Sequence, residues 1–172
     1  FLEDYRPGRQ NAAVSPEGRN VVLVLDGQQR LTSLLIGLRG TFAEKTKHAR
    51  VNNPDAWTEK TLYLDLFKDP EVEVAEDEAE FGVTYGFHFL GTPPRNDHRQ
   101  HWLKVGKILD YPTSDDLEKL IDEVLGQLHR GATPFEQDLA ASTLRRLHAV
   151  IWTDEVINYY TETDQSVDRV LD

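Results

Sequence analysis

Val21-Val22-Leu23-Val24-Leu25-Asp26-Gly27-Gln28-Gln29-Arg30-Leu31-Thr32-Ser33-Leu34 is the stretch on which the fold turns. Five consecutive branched apolar residues, with polar turn residues on either side, read as a buried strand. Asp26-Gly27 ends it. Leu31, Leu34, Leu35 and Leu38 then recur at helical spacing, so a helix is expected from Gln28 or Gln29 to about Gly40 or a few residues beyond. The far end, Glu44 to Arg50, is largely basic, which suits the negative end of a helix dipole.

Upstream, residues 1–20 are rich in turn formers such as Arg6-Pro7-Gly8 and Ser15-Pro16-Glu17-Gly18. Downstream, Thr61 to Leu66 reads as a strand and Val83 to Leu90 as its antiparallel partner. The acidic run from Glu71 to Glu80 between them reads as a solvated connection. Thr92 to Asp97 is a loop, and Trp102 to Leu109 is a third short strand or an extended approach to the helices.

The last third reads as helical. Thr113 or Ser114 caps a helix with Asp115, Asp116 and Glu118 in its first turn, and Leu117, Leu120, Ile121, Val124, Leu125 and Leu128 on its apolar face. Gly131 is its expected C-cap. Thr133-Pro134 opens the next helix, lined by Leu139, Leu144 and Leu147. Val150-Ile151-Trp152 and Val156 to Tyr160 read as short buried strands. The expected class is α+β, a single domain over 1–172 with a sheet-containing part (1–110) and a mainly helical part (111–172).

The chain has 172 residues, 30 acidic and 19 basic, with a formal net charge of −11. That balance argues against a stand-alone binder of duplex DNA, while a local nucleotide site stays open. There is no apolar run long enough to span a bilayer, and the first residues lack a signal peptide's basic start and apolar stretch. No membrane partner is expected. With no cysteine, disulfides, thiolate chemistry and the usual structural zinc site are excluded, and a cytoplasmic setting fits. Methionine is also absent, and the sequence stops inside an apparent helix start. Both ends are therefore expected to be cuts in a longer chain.

The strand-to-helix junction holds the chemistry. A helix N-terminus offers backbone N–H groups and the positive end of the dipole, which together suit an anion. The strand hands over to the helix through Gly27. Arg30 supplies a planar cation that grips phosphate through two hydrogen bonds. Gln28 and Gln29 offer neutral donors and acceptors, and Thr32 and Ser33 add hydroxyl donors in or near the first helical turn. Asp26, at the strand's carboxyl end, is the candidate acid and the candidate Mg²⁺ ligand. Asp26 and Arg30 form the candidate catalytic pair. The P-loop spacing is missing. In the bland alternative Asp26 caps the helix and Arg30 pairs with an acid.

The run from Val24 to Leu34 resembles the signature of the N-terminal domain of GmrSD-type, modification-dependent bacterial restriction systems, within the ParB/sulfiredoxin-like superfamily. Tyr63-Leu64-Asp65, Phe87-His88-Phe89, Trp102 to Val105, Asn158 to Tyr160 and Val167 to Leu171 follow in similar order. The resemblance implies a small mixed sheet with the motif helix after a buried strand. It also implies nucleoside triphosphate binding and hydrolysis with Mg²⁺, coupled to DNA restriction or phage defence. DNA would be reached through the full-length protein or a nuclease domain or subunit, and self-association is left open. The family's upstream Arg-aromatic element and its downstream Phe-x-x-x-Asn-x-Gly-Gly element are not in this sequence. Two alternatives stand beside this reading. One is a direct ParB-like nuclease. The other is a non-catalytic nucleotide-binding, structural or regulatory module.

Other residues carry weaker signals. His98 and His101 have a spacing that serves metal ligation on a helix, but their surroundings read as a loop. Phe81, Tyr85, Phe87 and Phe89 alternate in a strand, so packing is expected ahead of base stacking. Arg145-Arg146 and Lys45-Lys47-Arg50 are small basic patches, expected to be solvated faces.

Overall fold

Threonine, tyrosine and tryptophan favour a pleated surface, and Trp57–Asp65 builds the longest strand. The computed structural model describes residues 4–5, 27–48, 50, 53, 56–70 and 85–158. Within them run β1 (Asp4–Tyr5), α1 (Gln28–Leu38), β2 (Thr41–Lys45), β3 (Trp57–Asp65), β4 (Gly86–Leu90) and β5 (Trp102–Lys104). A 3-10 helix (Val105–Asp110), α2 (Ser114–Gln127) and α3 (Pro134–Trp152) follow. The fold is α+β. Its sheet is mixed: β1 lies parallel to β2, while β2, β4 and β5 are each antiparallel to β3. The expected strand Val21 to Leu25, the acidic run and Tyr159-Tyr160 lie outside the described residues.

Strand side chains alternate between faces. Lys60, Leu62 and Leu64 therefore share one face with their partners Phe42, Phe89 and Phe87. Tyr63, with partners His88 and Lys104, and Asp65, with partner Trp102, occupy the other face. There the His88 and Trp102 rings meet edge to face, 5.5 Å between centroids.

Helix α1 is shorter than its leucine spacing suggests. The N–H groups of Arg39 and Gly40 both donate to the Leu35 carbonyl, at 2.8 and 2.9 Å, and close the helix. Thr41 then pairs with Asp4 of β1, and Phe42 to Lys45 pair with Lys60 to Trp57 of β3. The residues from Thr41 to Lys45 are thus strand, and the expected helical extension with a basic end is corrected. Glycine here favours termination, and β-branched and aromatic residues favour pairing.

Two glycines let α1 sit close to its neighbours. A Cβ at Gly37 would stand 3.3 Å from Leu62 Cδ2. A Cβ at Gly106 would collide with the Leu38 carbonyl oxygen. The 3-10 helix can therefore pass directly under the end of α1.

The core joins sheet and helices. Leu64, Leu66, Leu103, Val105 and Ile108 pack with Leu117, Leu120, Ile121 and Val124 of α2 and Ala140, Ala141 and Leu144 of α3. The helix starts follow their caps. The Thr113 side chain accepts from the Asp116 N–H. Thr133 and Glu136 form a reciprocal capping box behind Pro134. Helix α2 ends at Gln127 with Leu128 as its C-cap, so Gly131 is not the cap expected. The Gly131 N–H instead donates to His129 Nδ1 at 3.2 Å. Residues Val150 to Trp152 belong to α3, whose amphipathic run continues through them. Val156 and Ile157 are more than half exposed and form no strand. Among the described residues no helix is long and apolar enough to cross a membrane.

A buried polar clasp fixes the end of β3. Asp65 Oδ1 accepts the Phe67 and His101 N–H groups, each at 3.1 Å. The Leu66 N–H donates to the His101 carbonyl at 2.8 Å. His101 is only 2% exposed. Burial pushes its imidazole below its ordinary value of 6.5; the Asp65 carboxylate opposes that shift, and nearby His129 adds to it. The folded state thus prefers neutral His101. Below about pH 6.5 the unfolded chain takes the proton more readily, so stability falls until pH passes the folded-state value.

Two outcomes are expected. The urea midpoint drops as pH is lowered from 7 to 5, and His101→Asn flattens that drop. Gly106→Ala, forced against the Leu38 carbonyl, lowers stability by about 1–3 kcal/mol in urea titration.

Candidate functional site at the start of helix α1

Gly27 is the N-cap of α1 and lies in the left-handed region, at φ 78° and ψ 10°. That backbone costs glycine little and other residues about 1 kcal/mol or more. The Leu31 N–H donates to the Gly27 carbonyl at 3.0 Å and starts the helical ladder. Residue 27 itself has no side chain with which to cap the first turn.

Arg30 folds back over this glycine. A Cβ at position 27 would lie 3.2 Å from Arg30 Nη2 and 3.5 Å from Nε. Glycine therefore supplies the turn and also clears space for the guanidinium. The first turn of α1 contains no acidic residue. By contrast, α2 carries Asp115 and Asp116 there, and α3 carries Glu136.

One face of α1 looks into an open groove of about 470 Å³. Gln28, Gln29, Thr32, Ser33 and Ile36 form its helix wall, and Phe42 of β2 and Phe89 of β4 form its sheet wall. The spacing i, i+1, i+4, i+5, i+8 puts these five helix residues on one side. The phenylalanine ring centroids are 5.9 Å apart, with planes inclined by 53°. They meet because Phe42 and Phe89 pair with Lys60 and Leu62, near neighbours on one face of β3.

The structure thus gathers Gln28, Gln29, Thr32 and Ser33 in one groove. Arg30 leaves the helix roughly a third of a turn from that wall, and its guanidinium rests at the helix end over Gly27. The two hydroxyls do not extend beyond the first turn as free donors. Thr32 Oγ1 donates to the Gln28 carbonyl at 2.7 Å, and Ser33 Oγ to the Gln29 carbonyl at 2.9 Å. Their remaining lone pairs make them acceptors for a ligand. Asp26 lies outside the described residues.

Phe42 and Phe89 line the groove, a placement that the sequence reading did not foresee. Phe42 was hidden inside the expected helical extension. Phe89 read as packing, and its ring does meet Phe42, while the residue is 37% exposed, as are Phe87 on the same strand and Tyr85 just before it. The alternation of aromatics was the available signal. Phe81 lies outside the described residues.

The weaker candidates resolve locally. His98 is exposed while His101 is buried. Asp97 Oδ1 accepts the Arg99 and Gln100 N–H groups, at 2.7 and 3.0 Å, shaping the loop between the two histidines. Arg145 pairs with Glu118 and Arg146 with Asp154, both at 3.1 Å on the surface. Among the described residues no three His, Asp or Glu side chains gather as a metal-ligand set. Compared with known proteins, the chain matches no protein-family model and no curated protein.

Gly27→Ala is expected to destabilise the chain by about 1 kcal/mol through its positive φ. It should also loosen the first turn of α1, read as faster amide hydrogen exchange of residues 28–31 with slower-exchanging core amides unchanged.

Proposed function

We propose that the start of α1 binds the phosphates of a nucleoside triphosphate, and that this binding supports hydrolysis coupled to DNA restriction or phage defence. The observation that carries the reading is the left-handed Gly27 with the Arg30 guanidinium folded over it, at a helix end that opens onto a groove. Helix dipole, first-turn amides and guanidinium all favour an anion at that point. The resemblance of the Asp26-to-Thr32 run to the restriction-family signature points to the same chemistry.

Each residue has a role in this reading. Arg30 holds phosphate and stabilises charge that develops during transfer. Gln28 and Gln29 orient phosphate oxygens or the attacking water. Asp26 is the acid that orients water. Among the described residues the groove wall carries no carboxylate; in this reading Asp26, next to the turn in sequence, is the residue that would hold Mg²⁺. Magnesium takes one or two carboxylates and completes its shell with phosphate and water. When bound, it would neutralise phosphate charge.

Arg30→Ala is expected to weaken triphosphate binding by roughly 1–3 kcal/mol in calorimetric titration; unchanged affinity overturns the reading. Asp26→Ala is expected to abolish turnover in the full-length protein while the fold persists. A non-catalytic binding module would instead show nucleotide affinity and no turnover in either form. A ParB-like nuclease would cut DNA without added triphosphate.

A further inference from the structure

We infer that the groove between α1 and the sheet is a nucleobase site, in which the base stacks on Phe89 beside Phe42 and presents its edge to the α1 wall. This inference rests on the triphosphate reading above, and it adds which part of the ligand the groove takes.

Three observations converge on a flat, partly polar ring. The first is the exposure of Phe89. A phenylalanine on a five-residue strand, 37% exposed as a residue and lining a groove, offers an aromatic face to a ligand. Stacking of a base on such a face is tolerant of base identity. The second is the pair geometry. The 53° inclination of Phe42 to Phe89 keeps the two rings from closing face to face. A planar ligand can therefore lie on Phe89 while the tilted Phe42 ring closes one side of the site. Aromatic contacts favour offset and edge-to-face arrangements of this kind.

The third observation is the opposite wall. Thr32 and Ser33 spend their hydroxyl protons on the carbonyls of Gln28 and Gln29. They face the groove as acceptors, suited to the N–H groups on a base edge. The Gln28 and Gln29 side chains carry both donors and acceptors and suit the mixed pattern of a base. Apolar surface on one side and a few polar groups on the other is the usual make-up of a small-ligand cleft. The groove's wall begins in the first turn of α1, beside the Gly27–Arg30 corner. Base and phosphates would then occupy adjoining parts of one site.

The test compares nucleoside triphosphates with inorganic triphosphate, both with Mg²⁺, by calorimetric titration of the chain. The probes are ATP, GTP, CTP and UTP. Wild type should bind at least one of them about fivefold or more tighter than inorganic triphosphate, the minimum for one stacked base. Phe89→Ala should remove that advantage and leave inorganic triphosphate affinity unchanged. Phe89→Leu keeps an apolar side chain and guards against loss of the strand; it should act in the same direction. Phe89→Tyr, which restores the ring, should recover the affinity. Arg30→Ala should weaken both ligands. Equal wild-type affinity for inorganic triphosphate and all four nucleotides overturns the base site and leaves the phosphate reading standing. So does a folded Phe89→Leu variant that binds like wild type. Failure of the wild type to bind either ligand overturns both.

Discussion

The seating of α1 on the sheet is the constraint from which the site follows. Gly37 lies against Leu62, and Gly106 passes beneath the Leu38 carbonyl, so the C-terminal half of the helix is held by backbone approaches that a larger residue would block. Ile36 is buried beside them. The other half carries Gln28, Gln29, Thr32 and Ser33, and here a groove separates the helix from Phe42 and Phe89. Close packing at one end and an opening at the other place a helix start, with its positive dipole, above an aromatic floor.

That seating depends in turn on the end of β3. Asp65 ties the strand to Phe67 and His101 through backbone N–H groups, and His101 is buried with it. The clasp sets where β5 begins, and β5 runs directly into the 3-10 helix that supports Leu38. Trp152 Nε1 adds a bond to the Ile108 carbonyl at 3.2 Å, linking the end of α3 to the same 3-10 helix. Helices α2 and α3 thus brace the support of α1 without lining its groove.

Much of the local structure was legible because the relevant energies are local. The leucine spacing after Gly27 located α1, Thr113 marked the start of α2, and Thr133-Pro134 marked that of α3. Caps and helical periodicity act over a few residues. The misreadings fall where two states were both locally allowed. Thr41 to Lys45 is strand because β1 and β3 offer it pairing partners, although the leucine run suggested more helix. Val150 to Trp152 is helix because α3 continues through it, although its branched apolar residues suit a strand. Gly131 looked like a helix end, yet α2 stops earlier and His129 holds the glycine in a turn.

The sequence by itself determined the α+β class, the threonine-capped starts of α2 and α3 and the Gly27-to-Ser33 polar cluster, since side-chain chemistry and short-range geometry are written residue by residue. It also determined that Arg30 stands in the first turn of α1. Tertiary structure alone decided that Gln28, Gln29, Thr32 and Ser33 face Phe42 and Phe89. Those two aromatics are 47 positions apart and meet only through their registers on β3. Register is a property of strand pairing across the sheet, and the wall that α1 presents to it is set by the close glycine contacts at its far end.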